Sequence, residues 1–109
     1  MNLDPGKLHE RLAEAGREMA RTRAYQTTTD RLRKQVRAAY VVQHINAGCT
    51  LGKAEALALI EPDYIKACKT AEQAEADAGV AAVEYEAARA WFEAWRSLEA
   101  TERAKMTMR

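Results

Sequence analysis

From Ile60 to Trp95 an apolar residue recurs at alternating steps of four and three: Ile60, Tyr64, Ala67, Ala71, Ala74, Ala78, Ala81, Tyr85, Ala88, Phe92 and Trp95. Unbroken alternation over this span means a helix with one face laid along another helix. Strands repeat every two residues, so the pattern excludes a sheet for this half of the chain. The middle of the row is all alanine, which lets two helix axes approach to the short end of the usual range of about 8–10 Å. A lone helix of this kind is marginal in water, so it needs a neighbour.

The first half supplies one. Asp4-Pro5 reads as a helix start, with Asp4 capping free backbone N–H groups and Pro5 in the first helical position. Leu8, Leu12, Ala15, Met19, Thr22, Tyr25, Thr29, Leu32, Val36 and Ala39 then form a second row. Two successive steps of three, at Met19–Thr22–Tyr25, resemble a stammer, a local overwinding. "TTTD" at 27–30 is the weak point, because three β-branched residues lose side-chain freedom in a helix. One continuous helix, about 5–47, is expected; a break at Thr29 or Asp30 is the alternative.

"INAGCTLGK" at 45–53 is the one convincing turn, with Asn46 and Gly48 ending the first helix and Thr50 capping the next. A short helix follows, about 51–60. Glu61 precedes Pro62 and is steered away from helix geometry. The last helix runs from about 62 to 105. The expected fold is therefore all-α: a long antiparallel helical hairpin, coiled-coil-like, with a short connecting helix, in a single domain over 1–109. Charge fits the pairing. Residues 1–47 carry nine Lys/Arg against five Asp/Glu, and residues 48–109 carry eight against eleven. Folding back at 48–60 brings Arg31, Lys34 and Arg37 towards Glu72, Glu75 and Asp77, and Arg17 and Arg21 towards Glu84 and Glu86. Exposed pairs of this kind contribute only about 0–1 kcal/mol each and serve mainly to choose register.

"AAVEYEAARAWFEAW" at 81–95 holds four of the chain's seven aromatic residues. Beside its seam lies a second apolar row: Val80, Ala87, Trp91, Ala94 and Leu98, widened by Val83 and Ala90. More than half the helix circumference is apolar there, too much for one neighbour to cover. Leaving each large side chain in water forgoes about 1.5–3 kcal/mol, and monomers seldom show such a patch. A homodimer is expected, a four-helix bundle built on 80–98 with Leu8, Leu12 and Met19 of the first helix. Its interface is Val80, Ala87, Trp91, Phe92, Trp95 and Leu98. The alternative is that Trp91 packs on the chain's own N-terminal part.

Chemical motifs are weak. His9, His44, Cys49 and Cys68 are the soft metal ligands, and they form neither a CxxC nor an HxxxH pair; a structural zinc site wants four ligands in fixed clusters. "GCTLGK" is one residue short of a phosphate loop, follows no strand, and has Ala54 where Ser or Thr belongs. Cys49 beside His44 lacks an orienting residue and an oxyanion hole. The Glu72/Glu75 and Glu10/Glu14 pairs lack the Glu-x-x-His partners of a di-metal bundle site. No catalytic, cofactor or metal residues are expected, and no enzyme. The basic cluster Arg17, Arg21, Arg23, Arg31, Arg33, Lys34 and Arg37 spreads around its helix. Phosphate-backbone contact through Arg31, Arg33, Lys34 and Arg37 is the minority reading, since no aromatic residues interleave for base stacking. No run of about 20 apolar residues exists to span a membrane, and the N-terminus lacks a signal-peptide pattern. Two cysteines make no disulfide framework, so a cytosolic setting is expected.

Residues 47–106, "AGCTLGKAEALALIEPDYIKACKTAEQAEADAGVAAVEYEAARAWFEAWRSLEATERAKM", resemble small helical proteins of tailed bacteriophages and prophages. The features are the Ala47-Gly48 turn, the acidic alanine-rich stretch after it, Tyr85 within "VEYEAARA", and the closing "LEATERAKM". Many such proteins sit among replication and recombination genes. The resemblance implies a non-catalytic phage-type accessory protein in a bacterial host cytoplasm, with a host or phage protein as partner. It carries over no site residues. A nucleic-acid-binding accessory protein and a structural component of a phage particle are the alternatives.

Overall fold

A computed structural model describes residues 4–108. They form three helices: α1 (Pro5–Asn46), α2 (Leu51–Ala58) and α3 (Pro62–Thr107). The chain is an all-α helical hairpin, with α1 and α3 in contact and α2 in the connection.

Helix α1 starts where Asp4 Oδ1 accepts a hydrogen bond from the Gly6 N–H at 2.9 Å. It runs through 27–30 without a break. The threonine hydroxyls satisfy themselves on the preceding turn: Thr27 donates to the Arg23 carbonyl at 3.1 Å, Thr28 to Ala24 at 3.0 Å and Thr29 to Gln26 at 3.0 Å. Such back-bonding removes the pull towards a competing cap. At the other end the Cys49 N–H bonds to the His44 carbonyl and the Gly48 N–H to Ile45, both at 3.0 Å. This pair of bonds is the Schellman arrangement, and it puts Gly48 in the left-handed region at φ 100°. Thr50 is extended and caps α2 through a 3.4 Å contact from the Lys53 N–H.

Two compact units divide the chain. The first is built from Met1–Arg21 and Gly79–Arg109, the second from Thr22–Ala78. In the first, the His9 ring meets Phe92 edge-on at 4.8 Å between centroids, and Gly16 lies against the Tyr85 ring. In the second, Tyr40 reaches Asp63, while Gln26 and Asp30 share a groove with Cys68 and Glu75. Rising numbers on α1 meet falling numbers on α3 within each unit, so both pairings are antiparallel.

The α3 seam lies where the alternation places it. Ala74, Ala78, Ala81 and Ala88 are buried, and Tyr64, Ala67, Ala71, Tyr85, Phe92 and Trp95 are half-buried. Ile60 is the exception, 67 % exposed. Its N–H closes a turn onto the Leu57 carbonyl before α3 begins, so it is not in phase with that helix.

On α1 the row departs from expectation after Thr22. Tyr25 and Leu32 are exposed, and so is Ala39. Gln26, Arg33 and Tyr40 take the half-buried places instead. The row then reads Leu8, Leu12, Ala15, Met19, Thr22, Gln26, Thr29, Arg33, Val36, Tyr40, an alternation of four and three with no stammer. Facing an alanine row, α1 gains little by overwinding to insert Tyr25 and Leu32. Long polar side chains can lay their stems along the seam and carry their heads outward. The resulting core is made of small residues. Among the described residues, no large side chain is fully buried.

Candidate association surface

In the first unit the second apolar row of α3 faces solvent. Val80 is 59 % exposed, Leu98 53 % and Trp91 36 %. Ala87, Ala90 and Ala94 are exposed among them, as is Val83. Phe92 and Trp95, also expected at an interface, are half-buried, with ring centroids 5.7 Å apart. Thus the α3 surface divides into two parts. Phe92 packs on His9 of α1, while Trp95 packs on Phe92 and both line an open groove with Arg96, Glu99 and Arg103. Val80, Ala87, Trp91 and Leu98 are left over from this packing.

Trp91 lines an open groove of about 670 Å³ in this unit, floored by Ala15, Ala87 and Ala88. Its rim is charged with both signs: Arg11, Glu14, Arg17, Glu18 and Arg21 from α1, and Glu84 from α3. Arg21 is ion-paired with Glu18 one turn away. An apolar floor with a mixed-charge rim suits a helix with a similar edge better than a uniformly charged polymer. The rim residues of α1 escape a search for aromatic clusters. Their three-and-four spacing beside the Leu8–Leu12–Ala15–Met19 row is the sequence signal that points to them.

The second unit holds the rest of the basic cluster, Arg23, Arg31, Arg33, Lys34 and Arg37. Arg33 sits at a seam position, bonded to Asp30 at 2.6 Å, and Lys34 pairs with the same carboxylate at 3.1 Å. Hydrogen bonds from Arg33 and Lys34 hold the Asp30 carboxyl below the usual carboxylate range, and Asp30 and then Tyr64 raise Arg33 in turn. Arg33 also lines a groove with Glu72 and Glu75. So Arg33, rather than Arg31, is the cation turned towards the acidic helix. Arg31 and Arg37 are exposed. The four residues expected at a phosphate contact are therefore not equivalent, since two of them already share Asp30.

Two polar ties secure the connection. The Tyr40 hydroxyl donates to Asp63 Oδ2 at 2.6 Å, and His44 Nε2 lies 2.9 Å from Glu61 Oε1. The bond to Asp63, then burial, then the charges of Asp63 and Glu61 push the Tyr40 hydroxyl above its ordinary range. Around α2, the buried residues are Ala54 and Ala58, whereas Leu51 and Leu59 are exposed. Cys49 and Cys68 are free thiols, both half-buried. Among the described residues, no group of three His, Cys, Asp or Glu is placed to hold a metal ion. No described helix is long and apolar enough to cross a membrane.

No protein-family model, curated protein or solved structure matches this chain.

Proposed function

We propose that this protein is a non-catalytic accessory protein that works by association, first with a second copy of itself. The observation that carries the proposal is the division of the α3 surface. Phe92 and Trp95 are half-buried, whereas Val80 and Leu98 are 59 and 53 % exposed and Trp91, beside the α1 groove, keeps 36 % of its surface in solvent. A core of alanine and threonine with Leu8 supplies little burial energy, so covering this second row adds what the hairpin lacks. A homodimeric four-helix bundle accounts for both facts. The resemblance of residues 47–106 to phage and prophage proteins supports a phage-type setting in a bacterial cytoplasm, with a host or phage protein of DNA replication or recombination as a further partner.

Sedimentation over a range of concentrations tests the proposal. A dimer at micromolar concentration is expected; a purely monomeric species rejects it. Leu98→Glu should give a helical monomer by circular dichroism. Trp91→Glu should give a monomer or unfold, since Trp91 also lines the groove in its own unit.

Nucleic-acid contact is the second reading, favoured by the exposed Arg31, Lys34 and Arg37. It requires duplex binding that weakens steeply with salt and is lost when Arg31, Arg33 and Arg37 are reversed in charge.

A further inference from the structure

One edge of α1 carries a regular charge pattern, part of which the chain already uses in the Asp4 cap and the Glu18–Arg21 pair. Asp4, Lys7, Arg11, Glu14, Glu18 and Arg21 follow one another at steps of three and four, and all six are exposed. The last four line the groove beside Trp91. Read from the N-terminal end the signs are minus, plus, plus, minus, minus, plus. Read from the other end every sign is inverted. A row of this kind is complementary to a second copy of itself laid antiparallel: Asp4 meets Arg21, Lys7 meets Glu18, and Arg11 meets Glu14. The midpoint falls between Leu12 and Ala13. The Glu18–Arg21 pair within the helix leaves this complementarity intact, because each partner meets its opposite sign across the interface as well.

Four residues of the apolar row of α3 are also placed symmetrically, with its Ala94 falling opposite Glu84. Val80 and Leu98 are equally far from residue 89, and so are Ala87 and Trp91. An antiparallel copy centred there sets the largest side chain, Trp91, over the small Ala87, and Val80 over Leu98. The two midpoints come from different sets of residues, one charged and one apolar. They lie at the same level of the unit. His9 packs on Phe92 and Gly16 on Tyr85, so the point midway between residues 9 and 16 is level with the point midway between 85 and 92. That places 12–13 beside 88–89, within about one residue, or roughly 1.5 Å along a helix, of the α3 midpoint.

Resting on the self-association proposed above, we infer that two copies pair about a single two-fold axis. This axis passes between residues 12 and 13 of α1 and close to residue 89 of α3, with α1 antiparallel to α1 and α3 antiparallel to α3. The interface is isologous, as in most dimers of identical chains. The apolar row gives it adhesion, and the charged row of α1 fixes its direction and register.

Disulfide trapping in a Cys49→Ser/Cys68→Ser background tests the geometry. Chains with Val80→Cys and chains with Leu98→Cys, mixed under mild oxidation, should form a disulfide-linked heterodimer, and neither should link to itself. Self-linking of Val80→Cys or of Leu98→Cys, or no linking in a mixture that sediments as a dimer, overturns the antiparallel axis while leaving self-association standing. A monomer by sedimentation overturns both. The charged row has its own test at low salt. Arg11→Glu should weaken the dimer by roughly tenfold, because the two-fold duplicates each lost attraction as a repulsion. Arg11→Glu/Glu14→Arg, which restores the inverted pattern, should return it to near the starting affinity. A double variant as weak as the single one overturns the α1–α1 pairing.

Discussion

Gly48 and Gly79 show how one residue type does two jobs. At Gly48 the backbone has φ 100°, where a side chain is strained, and the α1 terminus depends on that conformation for its two closing bonds. Gly48→Ala should therefore destabilise by about 1 kcal/mol, read as a lower urea midpoint. Gly79 lies inside α3 with open space where a Cβ would go, so Gly79→Ala should stabilise by about 1 kcal/mol in the same assay. Tyr40 supplies a pH signature. Its bond to Asp63 raises the folded pKa above the unfolded one, so the contribution is complete below about pH 10 and is lost as pH rises through the raised folded value. The stability gap between the native chain and Tyr40→Phe should hold at neutral pH and close in alkali. A gap independent of pH would show that the hydroxyl–carboxylate bond contributes nothing.

Among the elements, α3 is the one whose role its spacing most nearly dictates. Ala78 is 6 % exposed in the seam, and Ala76, two residues away, is exposed. Ala78→Leu should cost about 1–3 kcal/mol by overpacking, whereas Ala76→Leu should change stability by less than about 0.5 kcal/mol; paired urea titrations distinguish them. Helix α1 was less legible. Choosing the most apolar residue at each step selects Tyr25 and Leu32, yet Gln26 and Arg33 hold the half-buried places. Hydrophobicity misleads there because the partner is a row of alanines, close enough to accept an aliphatic stem and too shallow to reward a large apolar group. The capping residues, by contrast, were readable directly, since Asp4, Pro5, Gly48, Thr50 and Pro62 each act on backbone groups a few residues away.

For the whole molecule the decisive quantity is how little bulk the hairpin buries. Among the described residues, the buried ones are Leu8, seam alanines, Ala54 and Ala58 of α2, and Thr22 and Thr29. Stability should therefore be linked to association. The melting temperature should rise with protein concentration, because a partner that binds only the folded chain stabilises it by mass action. A melting temperature unchanged across a hundredfold range would contradict that linkage.

Sequence by itself determined the three helices, where each begins and the α3 seam from Tyr64 onward, because periodicity and capping are short-range effects of backbone geometry. It also marked the α3 surface as too apolar for one neighbour. Only the tertiary structure decided which aromatic residues the chain keeps for itself. Whether Trp91 or Phe92 faces α1 depends on a rotation of about 100°, and that rotation is set by the packing of His9 on Phe92 and Gly16 on Tyr85. The same contacts fix which residue of α1 stands level with which residue of α3, an alignment between distant segments that no local pattern encodes.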